Sequence, residues 1–408
     1  MVGNKALFQG LEAEVRACAT CGSCRSACPV YSEIGWESAA PRGKITMAKR
    51  ILVDRQKGVL SEQYVKRVFQ CTLCGGCAVV CPVQIDTREL LRGLRRYLEK
   101  RGRNPRVFDE LSARIRQNRN ISGQANEGRL DWAEDLEEPV GIVSTGAPGF
   151  QDDPWETSRV GYFVGCVASF YPMVADIPVS TVSVLQQAGI GVVVLGAEEW
   201  CCGFPLLAAG RDEEVLPGME HNLAKIRELG LKTLVTGCPS CRDTFNYHYP
   251  RVLGKPLGFE VWHITEYFSH LVSSGRLDLS GVQEVDEVVT YHDPCDLGRR
   301  SGIYEAPRKV LEGIPEVTLV EMEDNREHAL CCGGGGNLQV TEPQLAERIA
   351  EGRVDEALKT GATVLATACQ QCVQVLSEAA RRKKARIRVM DMSQLLWEGL
   401  GEAVPGGR

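Results

Sequence analysis

The spacing of apolar positions changes character near residue 158. Before it, apolar residues recur every three to four positions. Ile45, Met47, Ala48, Ile51 and Leu52, then Tyr64, Val65, Val68 and Phe69, predict helices across Lys44 to Gln70. Thr87 to Arg101 predicts another amphipathic helix. After residue 158 short apolar runs appear instead: Val160 to Val164, Val192 to Leu195, Thr233 to Thr236, Val288 to Tyr291, Val317 to Val320 and Thr363 to Thr367. Helical patterns separate them at Val179 to Gln187, Glu220 to Leu229 and Leu345 to Lys359. Strands alternating with helices predict α/β units with largely parallel sheets. Between the two regimes, Asn118 to Asn126 is polar, Asp131 to Glu138 acidic, and Gly141 to Pro154 rich in Gly, Pro and Asp. That stretch reads as a linker with one helix near Phe108 to Gln117. The predicted organisation is α + α/β: a helical module over 1–105, a linker over 106–157, and two tandem α/β domains over 158–280 and 281–402.

Length and composition agree with this division. A chain of 408 residues suggests two to three domains, and 44% apolar with 25% charged residues is ordinary for a globular protein. Met1 to Arg16 contains no apolar core of a secretory leader. Runs such as Gly189 to Ala197 fall well short of the roughly 18 residues that span a bilayer. The expected location is the cytoplasm, with any peripheral attachment to the inner face of the membrane made through a partner. Net charge is -6, but residues 1–110 carry 19 Lys+Arg against 11 Asp+Glu. This basic quarter lacks the aromatic interleaving of a nucleic-acid surface, so no nucleic-acid partner is expected.

Cysteine changes the picture most. Cys18, Cys21, Cys24 and Cys28 precede Pro29; Cys71, Cys74, Cys77 and Cys81 precede Pro82. Both runs read C-x2-C-x2-C-x3-C-P, the bacterial ferredoxin pattern for [4Fe–4S] cubanes. Thiolates suit such clusters, and the trailing proline is expected to stop the turn from continuing as a helix. In this pattern the fourth cysteine serves the other cluster. One cubane would take Cys18, Cys21, Cys24 and Cys81, the other Cys71, Cys74, Cys77 and Cys28. A pair of zinc sites is the alternative, but zinc usually takes two C-x2-C halves rather than runs of four. The runs lie 53 residues apart with helices between. They resemble the α-helical ferredoxin module of succinate dehydrogenase iron–sulfur subunits and heterodisulfide reductases.

The other ten cysteines form a duplication. Cys166, Cys201, Cys202, Cys238 and Cys241 recur as Cys295, Cys331, Cys332, Cys369 and Cys372, at offsets of 129, 130, 130, 131 and 131. Each half reads C, then CCG, then CxxC, which is a tandem repeat. Ligands at the carboxyl ends of parallel strands lie where open α/β sheets place their sites, so the halves should face each other across a shared crevice. Adjacent cysteines cannot both meet one face of a small cubane without strain, but could reach different irons of a more open cluster. The following glycines allow close backbone approach and N–H donation to sulfur.

Each half resembles the cysteine-rich CCG domain. The whole order resembles the iron–sulfur oxidoreductase family that includes HdrD of heterodisulfide reductase and the glycolate oxidase iron–sulfur subunits. The resemblance implies two [4Fe–4S] cubanes and one or two further, non-cubane [4Fe–4S] clusters held by the CCG cysteines. It also implies thiol–disulfide redox chemistry at those ten cysteines. The alternative it leaves open is electron transfer for a flavin-linked glycolate or lactate oxidase, or for an electron-transfer flavoprotein. Partners would be such a flavoprotein or a membrane cytochrome.

Other residues add less. His292 and Asp293 precede Cys295 at an expected strand end, where His292 could supply a proton to a thiol leaving group. Phe163 and Val164 hold those places in the first half. His248, His263 and His328 read as structural or surface residues. Arg42, in Pro41-Arg42-Gly43-Lys44, resembles a family stretch near the cubanes and could position a cluster or pair with a carboxylate. Gly333 to Gly336 lacks the Lys-Ser/Thr of a phosphate loop, and no dinucleotide-binding glycine pattern opens a helix after a strand. Electrons must therefore come from or go to a partner.

Overall fold

The computed structural model describes residues 4–54, 60–136, 140–142, 159–279 and 287–401. The helical module contains helices at Asn4–Ala17, Pro41–Leu52, Glu62–Phe69 and Thr87–Glu99. Ser61 and Asp86 cap two of them, accepting from the amides of Tyr64 at 3.2 Å and Glu89 at 3.0 Å. Leu11, Val15, Ile45, Val68, Leu90, Leu94 and Leu98 share one core.

Thr87–Glu99 departs from the amphipathic reading. Its leucines are buried as expected, but Arg88, Arg92 and Arg95 are buried too. The α/β domains close over the face that the sequence offers as a solvent face, and carbonyls and carboxylates of those domains take the guanidinium donors.

Nine strands are described. Gly141–Ile142 (β1), Arg159–Tyr162 (β2), Gly191–Val194 (β3), Thr233–Thr236 (β4) and Glu260–His263 (β5) form one sheet. Glu287–His292 (β6), Val317–Leu319 (β7), Val364–Thr367 (β8) and Arg388–Asp391 (β9) form the other. Every pairing is parallel. The orders are β1-β3-β2-β4-β5 and β7-β6-β8-β9, so the second repeats the last four places of the first. In each half the strand that leads into the first cysteine of the repeat, β2 or β6, sits inside the sheet, in register Tyr162↔Val235 and His292↔Thr367.

The halves exchange helices. Ile264–Ser273, after β5, packs on Glu305–Gly313 of the second half, and Met392–Gly399, after β9, packs on Asp176–Gln187 of the first. One apolar core runs through both, with Phe268, Leu271, Val310, Leu311 and Leu396 among its members. This reciprocal packing turns the carboxyl ends of the two sheets toward each other.

The stretch from 106 to 142 is more integrated than a connector of its composition. It forms a helix at Val107–Asn118 and 3-10 turns at Asn126–Asp135, and β1 extends the first sheet beside β3. Trp132 enters the sheet core, edge-on to Tyr162 at 6.5 Å between ring centres. Polar Asn126 turns inward and donates to the carbonyls of Ala197 at 2.6 Å and Glu199 at 3.0 Å. Buried backbone groups need such partners, which is why polarity here marks an inner surface. Linker positions 137–139 and 143–157 lie outside the described residues, as do 158, 280–286 and 402–408.

Candidate metal centres

All eighteen cysteines are free thiols. In the helical module, Cys28 sits beside Cys71 and Cys74, and burial pushes its thiol up to about 11. Burial also raises Cys77 well above the usual thiol range, with Cys74, Cys71 and Cys28 as charged neighbours. Cys24 has Cys18, Cys28 and Cys21 around it. Cys21 is exposed, and Cys18 and Cys81 are half-buried. Pro29 opens the helix Pro29–Ile34 rather than ending one. Proline's missing N–H costs nothing at a first helical position, and Cys28 becomes the cap, its sulfur accepting from the Tyr31 amide at 3.4 Å. Arg42 pairs with Glu37 at 2.6 Å. Lys44, fully buried, donates to the carbonyl of Gln70 at 2.7 Å and brings its charge to Cys28. A Cβ on Gly43 would run into the carbonyl oxygen of Glu37, so that approach requires glycine.

In both halves of the repeat the cysteines follow the carboxyl ends of strands. Cys166 lies after β2, Cys201 and Cys202 after β3, and Cys238 and Cys241 after β4. Cys202 and Cys241 sulfurs are 3.4 Å apart; their counterparts Cys332 and Cys372 are 3.3 Å apart. The adjacent pairs split. Cys201 meets Cys166 while Cys202 meets Cys241. Cys331 meets Cys74 of the helical module while Cys332 meets Cys372. Gly203, Gly333 and Gly334 direct amides at Cys201, Cys331 and Cys332 at 3.3 to 3.5 Å. Hydrogen bonds from Cys201 and Cys241 draw Cys202 down to about 6, and Cys332 is lowered in the same way by Cys331 and Cys372. Cys241 and Cys372, the donors, are raised well above the usual thiol range. Sulfurs this crowded cannot all ionise without positive charge among them. Iron supplies that charge, and thiolates suit it. The residues present therefore fit iron–sulfur clusters.

The surroundings of the two halves differ. In the first, Arg129 donates to Glu199 at 2.7 Å and approaches the Cys166 sulfur at 3.6 Å. Glu199 also accepts the amides of Val164 and Gly165, both at 2.9 Å. Neither residue stands out in the sequence, because Arg129 falls in the linker between its polar and acidic stretches and Glu199 has Ala329 as its counterpart. An Arg129→Met variant should lose about 3–5 kcal/mol of stability by leaving a carboxylate buried without its cation. A denaturant titration of wild type and variant checks this, and Glu199→Gln in the same background should recover part of the loss.

In the second half, Asp293 forms a buried pair with Arg308 at 2.8 Å. His292 brings a ring nitrogen within 4.8 Å of the Cys332 and Cys372 sulfurs. Burial and the Arg353 guanidinium hold His292 well below the usual imidazole range. Of the remaining histidines, His248 is buried between Arg92 and Asp243, His263 caps the helix after β5, and His328 is exposed.

Between the halves lies a cavity of about 420 Å³. All five cysteines of the first half line it, with Cys295, Cys332, Cys369 and Cys372 of the second. His292 is not among its lining residues; it stands behind the sulfurs. The halves also meet directly, through Ser240 and Asp296 at 2.6 Å and through Gln370, which donates to the Val164 carbonyl at 3.0 Å. Arg88 of the helical module pairs with Asp296 at 2.7 Å.

This is the make-up of an iron–sulfur oxidoreductase with a dicluster module and two cysteine-rich domains. The 4Fe-4S dicluster domain matches residues 14–85, and the cysteine-rich CCG domain matches 160–246 and 289–377. HdrD of the dihydromethanophenazine:CoB–CoM heterodisulfide reductase from Methanosarcina barkeri is 33% identical over 95% of this chain and 94% of its own. The chain belongs to the HdrD family. An EtfAB:quinone oxidoreductase from Syntrophomonas wolfei is 27% identical over 82% of this chain and 46% of its own length. Among solved structures, a hypothetical protein from Helicobacter pylori shares the fold at a TM-score of 0.52 and 10% identity, covering 89% of this chain and 68% of that one. Among the described residues no helix is long and apolar enough to cross a membrane.

Proposed function

We propose that this chain passes electrons through two cubanes to two non-cubane [4Fe–4S] clusters and cleaves a disulfide between them. The cubanes are assigned to Cys18, Cys21, Cys24 and Cys81, and to Cys71, Cys74, Cys77 and Cys28. The other two clusters take Cys166, Cys201, Cys202, Cys238 and Cys241, and Cys295, Cys331, Cys332, Cys369 and Cys372. The observation that carries this reading is the cavity lined by cysteines of both repeats, which can present one sulfur of a disulfide to each. The clusters, when bound, supply electrons one at a time. The overall reaction takes RS–SR′, two electrons and two protons to RSH and R′SH. The chain itself holds the thiols apart, shapes the cavity and places Cys331 against Cys74, so that the second repeat adjoins a cubane. Electrons enter from a flavoprotein or a membrane cytochrome, and any membrane attachment is made through that partner.

A second reading, electron relay for a flavin-linked 2-hydroxy-acid oxidase or an electron-transfer flavoprotein, is favoured by the similarity to the EtfAB:quinone oxidoreductase. Anaerobic purification, an iron and sulfide count, and EPR during oxidation with and without thiols separate the two. About 16 Fe per chain, with thiol-dependent signals beyond two cubanes, is the expected result. About 8 Fe with cubane signals alone overturns the disulfide reading and leaves the relay.

A further inference from the structure

The two halves of the repeat share their cysteines but not what stands behind them. At the end of β6, His292 faces the Cys332 and Cys372 sulfurs, Arg353 backs His292, and Glu356 backs Arg353. The corresponding positions in the first half are Phe163, Leu223 and Ile226, by the offsets of 129 and 130 that align the cysteines. Those three are buried in the apolar core that includes Cys202 and Cys241. A buried polar string in one copy thus replaces an apolar one in the other. The fold does not need it, since the first half does without, and burying polar groups costs free energy that burying apolar ones does not.

The string also fixes a proton. Arg353 Nε donates to His292 Nδ1 at 3.0 Å. Arginine has no acceptor, so the nitrogen facing it must be the bare one and the ring proton must sit on the other. That nitrogen, Nε2, has no hydrogen-bond partner although it is buried. Arg353 is itself held by Glu356 and by the Asp324 carbonyl at 2.9 Å, so the tautomer is locked from behind. One ring nitrogen lies within 4.8 Å of two thiol sulfurs, and with Nδ1 taken by Arg353 the buried, unpartnered Nε2–H is the donor left for that cluster site.

We infer that His292 is a positioning residue that donates its Nε2–H to the sulfur of the second cysteine-rich centre and raises that centre's reduction potential. Hydrogen bonds to cluster sulfur stabilise the more negative, reduced form. The centre gains one electron and the proton stays on the imidazole, so no proton is consumed. The first centre receives a different donor, Arg129 at Cys166. The two repeats are therefore tuned by unlike groups and are two distinct redox steps. His292 acts behind the sulfurs rather than on the substrate, as its absence from the cavity lining requires.

The inference rests on the reading that the cysteine-rich sites hold clusters, and the test separates the two. The full chain is purified anaerobically, iron is counted, and each cluster is titrated by EPR in wild type, His292→Phe and His292→Gln. Phe reproduces the first-half residue; Gln can accept from Arg353 and still donate. Expected is a fall in the second centre's potential in His292→Phe of about tenfold in its oxidised-to-reduced ratio, about 59 mV for one electron. The other centres should be unmoved, and the potential should return toward wild type in His292→Gln. Wild-type protein with ¹⁵N-histidine should show a weak nitrogen coupling to that centre, sized for a hydrogen bond. This second measurement needs no variant and decides the matter if His292→Phe loses the cluster. No histidine coupling, a strong coupling of a direct ligand, or an unshifted potential overturns the role of His292 and leaves the disulfide reading standing. Iron for the cubanes alone overturns both.

Discussion

A Cys332→Ser variant is expected to lose the second cysteine-rich centre whole, with disulfide turnover falling to background while both cubanes survive. Iron should drop by about four atoms per chain. Cys332 is the sulfur that meets Cys372 at 3.3 Å and receives the Gly334 amide. A hydroxyl in its place is a hard oxygen donor among soft thiolates, and iron–sulfur centres select the latter. The matched Cys202→Ser should remove the first centre at the same cost in iron. The two variants should then part kinetically. Cys331 contacts Cys74, so the second centre adjoins the cubane group and should still be reduced rapidly in Cys202→Ser. In Cys332→Ser the first centre keeps its sulfurs but loses the neighbour that lies beside the cubane, and its reduction should slow. Freeze-quench EPR after mixing with a low-potential donor follows each centre separately. Equal reduction rates in the two variants would sink the assigned order.

Much of the fold is legible in the sequence. Cysteine spacing exposes the duplication because each ligand is pinned to a strand end, and the strands repeat at the same interval. The strands β3, β4, β6, β7 and β8 are short runs in which Val and Thr are prominent, and shortness with β-branched content favours strand over buried helix; β2, Arg-Val-Gly-Tyr, is legible only from the apolar run to Val164 that it opens. Three of the four edge strands are harder. β1 has two residues, and β5 and β9 have exposed first residues, Glu260 and Arg388, that leave only short apolar stretches. What periodicity does not show is the inner use of polar residues. Arg88, Arg95, Arg129 and Arg353 sit where a one-dimensional pattern offers water, and each instead meets groups distant along the chain. Asn126 and Glu199 are hidden for the same reason. Glycines 335 and 336 give a loop signal only. In the fold they pass so close to the Cys71–Thr72 backbone that a Cβ on either would meet a carbonyl oxygen. They are where the second repeat docks on the cubane module.

Arg95 joins all three parts of the molecule, and its removal should uncouple them. Its guanidinium, wholly buried, donates to five carbonyls. Those of Val68, Phe69 and Cys71 belong to the helical module, Ala208 to the first repeat, and Gly336 to the second, at 2.6 to 3.4 Å. No carboxylate is among these partners, and burial lowers its pKa to about 10. Backbone dipoles hold the charge, with the centre of the Phe69 ring 5.2 Å from the guanidinium carbon. Arg95→Met removes that charge and strands the acceptors, each worth about 1–3 kcal/mol when left dry. Water reaching the site offsets part of this, so a net loss of about 3–5 kcal/mol is expected. Arg95→Lys should recover little, since a single ammonium has three donors and cannot span five carbonyls in a planar fork. The loss should fall on the contacts between parts rather than within them. Cubane EPR signals should survive in Arg95→Met, while electron transfer from them to the cysteine-rich centres slows at least tenfold. Limited proteolysis should cut between residues 103 and 158 faster than in wild type. If the variant keeps wild-type transfer and wild-type proteolysis, the five hydrogen bonds do not hold the cubane module against the repeats.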